Sequence, residues 1–179
     1  MKTFLWVLAI TTLAAANAKA QSTKIELYAD ANRTTCELVD QGTTLQTIYV
    51  FQTGSFQSTG VRFRVTKPAC WTGATWVGDM TPFVALGNSQ TDWSVAYGVC
   101  KTLPVLIGQI NFFATGASQP CCELLAQPAT QFVYTNCSFG EYPLVAGQKV
   151  VVNATDACRC QSPLATEPTT WGRVKSLYR

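Results

Sequence analysis

The residues with the most chemistry to offer are eight cysteines: Cys36, Cys70, Cys100, Cys121, Cys122, Cys137, Cys158 and Cys160. An even number permits up to four disulfides, whereas thiolates at knuckle spacing would hold zinc. The close pairs here are Cys121-Cys122 and Cys158-Arg159-Cys160. Neither has the Cys-x2-Cys spacing of a structural zinc site, so the cysteines read as disulfides in an oxidising compartment and not as metal ligands. Their connectivity stays open. In an extended strand adjacent Cys121 and Cys122 would point to opposite faces and need different partners, while Cys158 and Cys160 would share a face.

Other reactive groups are sparse. The chain has no histidine, which removes Ser-His and Cys-His nucleophile pairs, His-ligated zinc and any side chain that ordinarily titrates near neutrality. No Gly-x-Ser-x-Gly elbow, phosphate-binding glycine loop or His-Glu-x-x-His is present. The ten acidic residues are scattered. Only folding could bring two of Asp79, Asp92, Glu123 and Glu141 together as a hydrolase pair. Asp30-x-Asn32-x-Thr34, followed by Glu37 and Asp40, offers alternate oxygens as a calcium loop does, but it lacks the central glycine, and an ordinary polar turn is favoured. The reading is a non-enzyme with no cofactor and no metal.

Aromatic rings give a better binding hypothesis. Trp71 and Trp76 bracket Thr72-Gly73-Ala74-Thr75, a stretch of small residues that reads as a loop after Cys70. Rings held on a rigid loop can stack on sugars or anchor a protein interface. Tryptophan packed on a disulfide is also a common core feature of β-sandwiches, so Trp71 and Trp76 are candidate binding residues with a structural alternative. The sequons at Asn32, Asn136 and Asn153 read as loop asparagines.

The elements that must position these groups have a period of two. Val61-Arg62-Phe63-Arg64-Val65-Thr66 alternates apolar and polar without a fault, as a strand with one buried face does. Leu45–Gln52 contains Ile48-Tyr49-Val50-Phe51, a run that predicts a strand covered on both faces. Trp93–Tyr97, Val105–Phe113, Phe132–Tyr134 and Val150–Val152 are further candidates, with Ile25–Tyr28 and Pro82–Leu86 weaker. Gly-containing turns separate them, and no helical period occurs in residues 21–160. The pattern predicts an all-β, antiparallel sandwich of about 7–9 strands, Ig-like or jelly-roll-like, stapled by disulfides.

Both ends differ from this domain. Lys2, the apolar run Phe4–Ala16 and the small residues Ala18 and Ala20 have the order of a secretory signal peptide over residues 1–20. Its apolar run is shorter than the roughly 20 residues that cross a bilayer. Cleavage there would remove Lys2 and Lys19 from a chain of 13 basic and 10 acidic residues. A balance of +1 leaves no basic footprint for nucleic acid. Residues 161–168 are polar and proline-punctuated, a linker pattern. In 169–179, with Thr170 as N-cap, Trp171, Val174, Leu177 and Tyr178 fall on one stripe of a short helix opposite Arg173, Lys175 and Arg179. Such a helix is marginal alone and must dock to persist, either on its own domain or as a recognition or sorting segment.

The order Lys67-Pro68-Ala69-Cys70, Thr72-Gly73-Ala74-Thr75, Gly87-Asn88-Ser89-Gln90-Thr91, Tyr97-Gly98-Val99-Cys100, Cys121-Cys122 and Cys158-Arg159-Cys160 resembles small secreted β-domain proteins of uncharacterised function from environmental bacteria. The ending Trp171-Gly172-Arg173-Val174-Lys175-Ser176-Leu177-Tyr178-Arg179 is similar to a short tail on other exported proteins of such bacteria. The likeness spans most of residues 36–179. It implies a secreted β-domain and supplies no catalytic residue. The function expected is therefore a non-catalytic extracellular structural or interaction module, at the cell surface, with a protein partner or self-assembly. The alternative is a polysaccharide-binding module.

Overall fold

The computed structural model describes residues 22–160. The expected signal peptide (1–20), linker (161–168) and tail with Trp171, Val174, Leu177 and Tyr178 lie outside these residues. Thirteen strands are described: β1 (Lys24–Tyr28), β2 (Glu37–Leu38), β3 (Thr43–Thr53), β4 (Gln57–Phe63), β5 (Thr75–Met80), β6 (Val84–Asn88), β7 (Asp92–Thr102), β8 (Val105–Thr115), β9 (Cys122–Leu124), β10 (Val133–Thr135), β11 (Glu141–Pro143), β12 (Val145–Ala146) and β13 (Val150–Val152). No helix among the described residues is long and apolar enough to cross a membrane.

Two five-stranded sheets form the sandwich. The first has the order β12-β1-β3-β8-β5, the second β11-β10-β4-β7-β6, and a small third sheet β2-β13-β9 lies apart from both in the pairing. Most ladders are antiparallel, as alternation predicts; β1 with β12 and β2 with β13 are parallel. Alternation decides which side chains meet between the sheets. Ile25 and Leu27 of β1, Ile48 and Val50 of β3, and Ile110 and Phe112 of β8 share one core with Val61 and Phe63 of β4 and Trp93, Val95 and Tyr97 of β7. Each such large side chain stabilises the fold by about 1.5–3 kcal/mol through burial. Within this interior the Tyr97 hydroxyl of the second sheet donates to Gln52 Oε1 of the first at 2.7 Å.

The four-residue run in β3 behaves as its composition requires. Ile48 and Val50 enter the main core, while Tyr49 and Phe51 turn outward and pack with Tyr28, Leu106, Cys36 and Cys160 in a second cluster. The first sheet is thus apolar on both faces.

All eight cysteines are oxidised, as Cys36–Cys160, Cys70–Cys122, Cys100–Cys137 and Cys121–Cys158. Cys121 and Cys122 take different partners, although Cys121 sits in the left-handed region at φ 62° and not in an extended strand. The expected loop between the tryptophans is corrected in part. Trp76 lies within β5, an edge strand on β8 whose register shifts between Trp76 and Gly78. That irregularity leaves Val77 exposed and hides the period of two that would have announced the strand.

Candidate interaction surface

The expected binding residues do not form a platform. Trp71 is buried, packed at a tilt against Phe112 with ring centroids 5.0 Å apart, and its indole Nε1 donates to Asp40 Oδ2 at 2.9 Å. It presents no face to a ligand, which corrects the assignment of Trp71 as a binding residue. Asp40, also buried, accepts from the Gly116 and Ser118 backbone amides, so this carboxylate ties the Trp71 indole to the loop after β8. Trp76 is half-buried against the core and donates Nε1 to Asp79 Oδ1 at 3.1 Å.

Three of the four candidate carboxylates, Asp79, Asp92 and Glu123, are engaged in the fold. Asp79 also accepts from the backbone amide and hydroxyl of Ser89, Glu123 pairs with Lys149, and Asp92 pairs with Arg62. The Asp30 loop is the polar turn expected. The backbone amides of Asn32, Thr34 and Thr35 all donate to the Asp30 carboxylate. Slight burial opposes its charge, and these amides outweigh that and hold the carboxyl below its ordinary range. Asn136 and Asn153 are likewise spent on turns and loop bridges.

The surface that stands out lies on the outer face of the second sheet, where a trough of about 590 Å³ opens to solvent. Its shape follows from residue size along the strands. In β7, Trp93, Val95 and Tyr97 point to the core, so Ser94, Ala96 and Gly98 point outward; on β4, Gly60 lies opposite Ala96. The central strands therefore give the trough a floor of small residues. Larger side chains stand on the flanks: Val84 and Leu86 from β6, Val133 from β10, and Phe139. Val84 is 72% exposed, Leu86 73% and Phe139 81%. Large apolar groups so exposed in one place mark a docking surface more often than isolated ones do.

Local structure holds this rim in place. The register of β4 with β7 shifts between Ser58 and Gly60, and Gly98 at φ 74° lies in the extra stretch of β7 opposite that shift. Beyond it Cys100 is tied to Cys137, which anchors the turn 136–140 to β7. In that turn the Asn136 side-chain oxygen accepts from the Ser138 and Gly140 amides at 2.9 and 2.8 Å, and the Phe139 amide donates to the Asn136 carbonyl. Phe139 has φ 62°. A bulky residue there costs of order 1–3 kcal/mol, held by a disulfide and an asparagine cap while its ring remains in water. One wall is charged. The Arg62 guanidinium bonds both oxygens of Asp92, which also accepts from the Thr130 hydroxyl at 2.9 Å, and Glu141 lies close to Arg62. Arg62 holds the Asp92 carboxyl below its ordinary range, first through that hydrogen bond.

Sequence reasoning passed over this trough because the signal was negative. The outward residues of β7 are small, and Phe139 stands in a polar turn. The outward pair Val84 and Leu86, flanking core-facing Ala85, was the one visible sign.

No protein-family model matches this sequence, and no curated protein matches it. Solved structures do. The sixth cohesin of scaffoldin B from Acetivibrio cellulolyticus, solved in complex with a mutant Cel5 dockerin, has a TM-score of 0.50 at 10% identity, covering 75% of this chain and 99% of the cohesin. The seventh ScaB type I cohesin from Pseudobacteroides cellulosolvens has a TM-score of 0.48 at 9% identity over 75% and 94% of the two chains. A type III cohesin module from the ScaE cell-surface anchoring scaffoldin of Ruminococcus flavefaciens has 0.48 at 7% identity over 76% and 89%. The likeness to the first is one of fold, a jelly-roll β-sandwich.

Proposed function

We propose that this chain is a non-catalytic, extracellular interaction module that holds a protein partner on the outer face of its second sheet. The observation that carries this reading is the exposed apolar trough whose rim residue, Phe139, is kept in an unfavourable backbone conformation by a disulfide-anchored turn. A fold gains nothing for its own stability by holding an aromatic ring in solvent, so the use of that ring lies outside the domain. The similar cohesin was solved with a dockerin bound, which supports a protein-binding role for this type of sandwich. Four disulfides and the signal-peptide pattern support an extracellular setting. The structural bonds made by Asp40, Asp79, Asp92 and Glu123 support the absence of a carboxylate-based reaction. A sugar platform needs exposed rings, and Trp71 supplies none.

The test is fractionation of the native host expressing the full chain or its Leu86→Asp variant. Leu86 is exposed, so the substitution leaves the thermal midpoint within about 2 °C. The expected result is wild type in the surface fraction and the variant in the medium. Equal partition of the two would overturn the reading.

A further inference from the structure

The chain carries its own candidate for the trough, and the last described residue before it, Cys160, lies on the opposite outer face of the sandwich. Residues 169–179 contain Trp171, Val174, Leu177 and Tyr178 with Arg173, Lys175 and Arg179 and no acid. They follow Cys160, which is bonded to Cys36 in the cluster on the outer face of the first sheet. The trough is on the outer face of the second. Resting on the reading that the trough is a docking surface, we propose that it takes residues 169–179 of a second copy of this chain, so that copies join head to tail.

Length argues against self-docking. From Cys160 to Trp171, the first apolar anchor of the segment, the chain covers at most about 40 Å, and only when drawn out taut. A path from the middle of one outer face to the middle of the other must cover the roughly 10 Å between sheets, both outer side-chain layers and two strand spacings on each side, about 40 Å in all. A neighbouring copy has no such restriction. Chemistry also fits. The trough is apolar at Val84, Leu86 and Phe139; Arg62 and Glu141 line it, and because Arg62 is paired with Asp92 just beside the trough, the charge around it sums to a net negative value. An apolar stripe flanked by cations is complementary to that combination. Because the donor segment and the acceptor face are different surfaces, the contact is heterologous and does not close on itself as a twofold dimer does.

Complementing variants test this in purified full-length protein. Leu86→Asp spoils the trough and leaves the segment intact; Leu177→Asp does the reverse. Sedimentation of wild type at tens to hundreds of micromolar is expected to show a mass that climbs with concentration. Each variant alone is expected at the mass of one chain, and an equimolar mixture at twice that mass and no higher, since one sound trough and one sound segment remain. Val84→Glu replaces Leu86→Asp should the latter not fold. A wild type that stays monomeric throughout, or a Leu177→Asp variant that assembles like wild type, overturns the head-to-tail inference. If either occurs while Leu86→Asp is still released from the host surface, the docking trough stands and its occupant is another protein. If assembly follows the complementation pattern but surface retention does not change, self-assembly stands without surface attachment.

Discussion

On the first sheet, Tyr28, Tyr49, Phe51 and Leu106 point away from the core and are covered; on the second, Val84, Leu86 and the nearby Phe139 point away and stay in solvent. The cover on the first sheet comes from the chain itself. The turn after β1 is organised on the Asp30 carboxylate, Arg33 places its guanidinium 5.4 Å from the centre of the Phe51 ring, and Cys36 brings Cys160 onto the same cluster. The second sheet has a disulfide and a capped turn beside its outer face as well, but these hold Phe139 up at the rim and close nothing. The same devices are used once to bury an apolar cluster, although Leu45 and Phe113 farther along that sheet stay exposed, and once to present one. That contrast makes the open trough a feature of the fold's construction and not a residue of incomplete packing.

The largest effect that could break the comparison is removal of the covering link. Cys36 and Cys160 are 124 residues apart in sequence and Cys100 and Cys137 only 37. On chain-entropy grounds, replacing the first pair by serine costs about 5 kcal/mol and replacing the second about 4 kcal/mol. Guanidinium unfolding under non-reducing conditions measures both. The expected order is a lower midpoint for the Cys36/Cys160 variant, with only the Cys100/Cys137 variant losing partner binding. A reversed order would mean that the closed face does not depend on its link.

Two phenylalanines sharpen the contrast at single-residue scale. Phe51 is 7% exposed and meets Tyr28 edge-to-face at 5.7 Å. Phe51→Ala is expected to cost about 3–4 kcal/mol. Phe139→Gly gives up little buried area and relieves the left-handed backbone, so stability is unchanged or raised by up to about 1 kcal/mol while binding at the trough falls. Thermal melts and a binding titration read the two sides. If Phe139→Gly melted the domain, the ring would be a packing residue after all.

Much of this division was legible in the sequence and part was not. The faultless alternation of 61–66 and the apolar run 48–51 announced a half-buried strand and a doubly covered one, because each pattern extends over enough residues for the period to register. The short strands β2, β9, β11 and β12 have two or three residues each, too few to carry a period; disulfides and neighbouring strands impose their pairing. The fate of Trp71 depended on Asp40, 31 positions away, and no local rule ties an indole to a carboxylate at that distance. The trough escaped notice for a different reason: concavity came from what Ser94, Ala96, Gly98 and Gly60 lack.

Alkali is expected to act mainly on the buried side. Burial, then a hydrogen bond to Glu26, pushes the Tyr28 phenol well above its ordinary value near 10, and burial raises that of Tyr97. A folded-state value above the unfolded one contributes stability that is complete below pH about 10 and is lost as pH rises beyond it. The chain should therefore lose stability above that pH, and Tyr28→Phe should flatten the fall, at a cost near neutrality of about 1 kcal/mol for the lost bond. Thermal midpoints from pH 8 to about 11 provide the check. An identical alkaline limb in the variant would remove Tyr28 as its source.

The smallest expected effect belongs to the open face, and it is reached from the acid side. Arg62 holds the Asp92 carboxyl below its ordinary value, so the folded chain releases this proton more readily than the unfolded one. The contribution to stability is present above pH about 4 and disappears as pH falls through the lower, folded value. Because both side chains are partly in water, Asp92→Asn should lower the neutral-pH midpoint by only about 1–3 °C, and the difference from wild type should vanish in strong acid. Its effect on docking should be clearer. With Asp92 neutral, Arg62 stands unpaired on the trough wall, and the wall turns from net negative to neutral beside a segment that carries three cations. Self-association should weaken in the variant at pH 7 and be less affected by salt than in wild type, since fewer attractive charges remain to be screened. Sedimentation in low and physiological salt separates the cases. Equal salt dependence in the two proteins would show that the charged wall takes no part, leaving Val84, Leu86 and Phe139 to hold the partner by apolar contact alone.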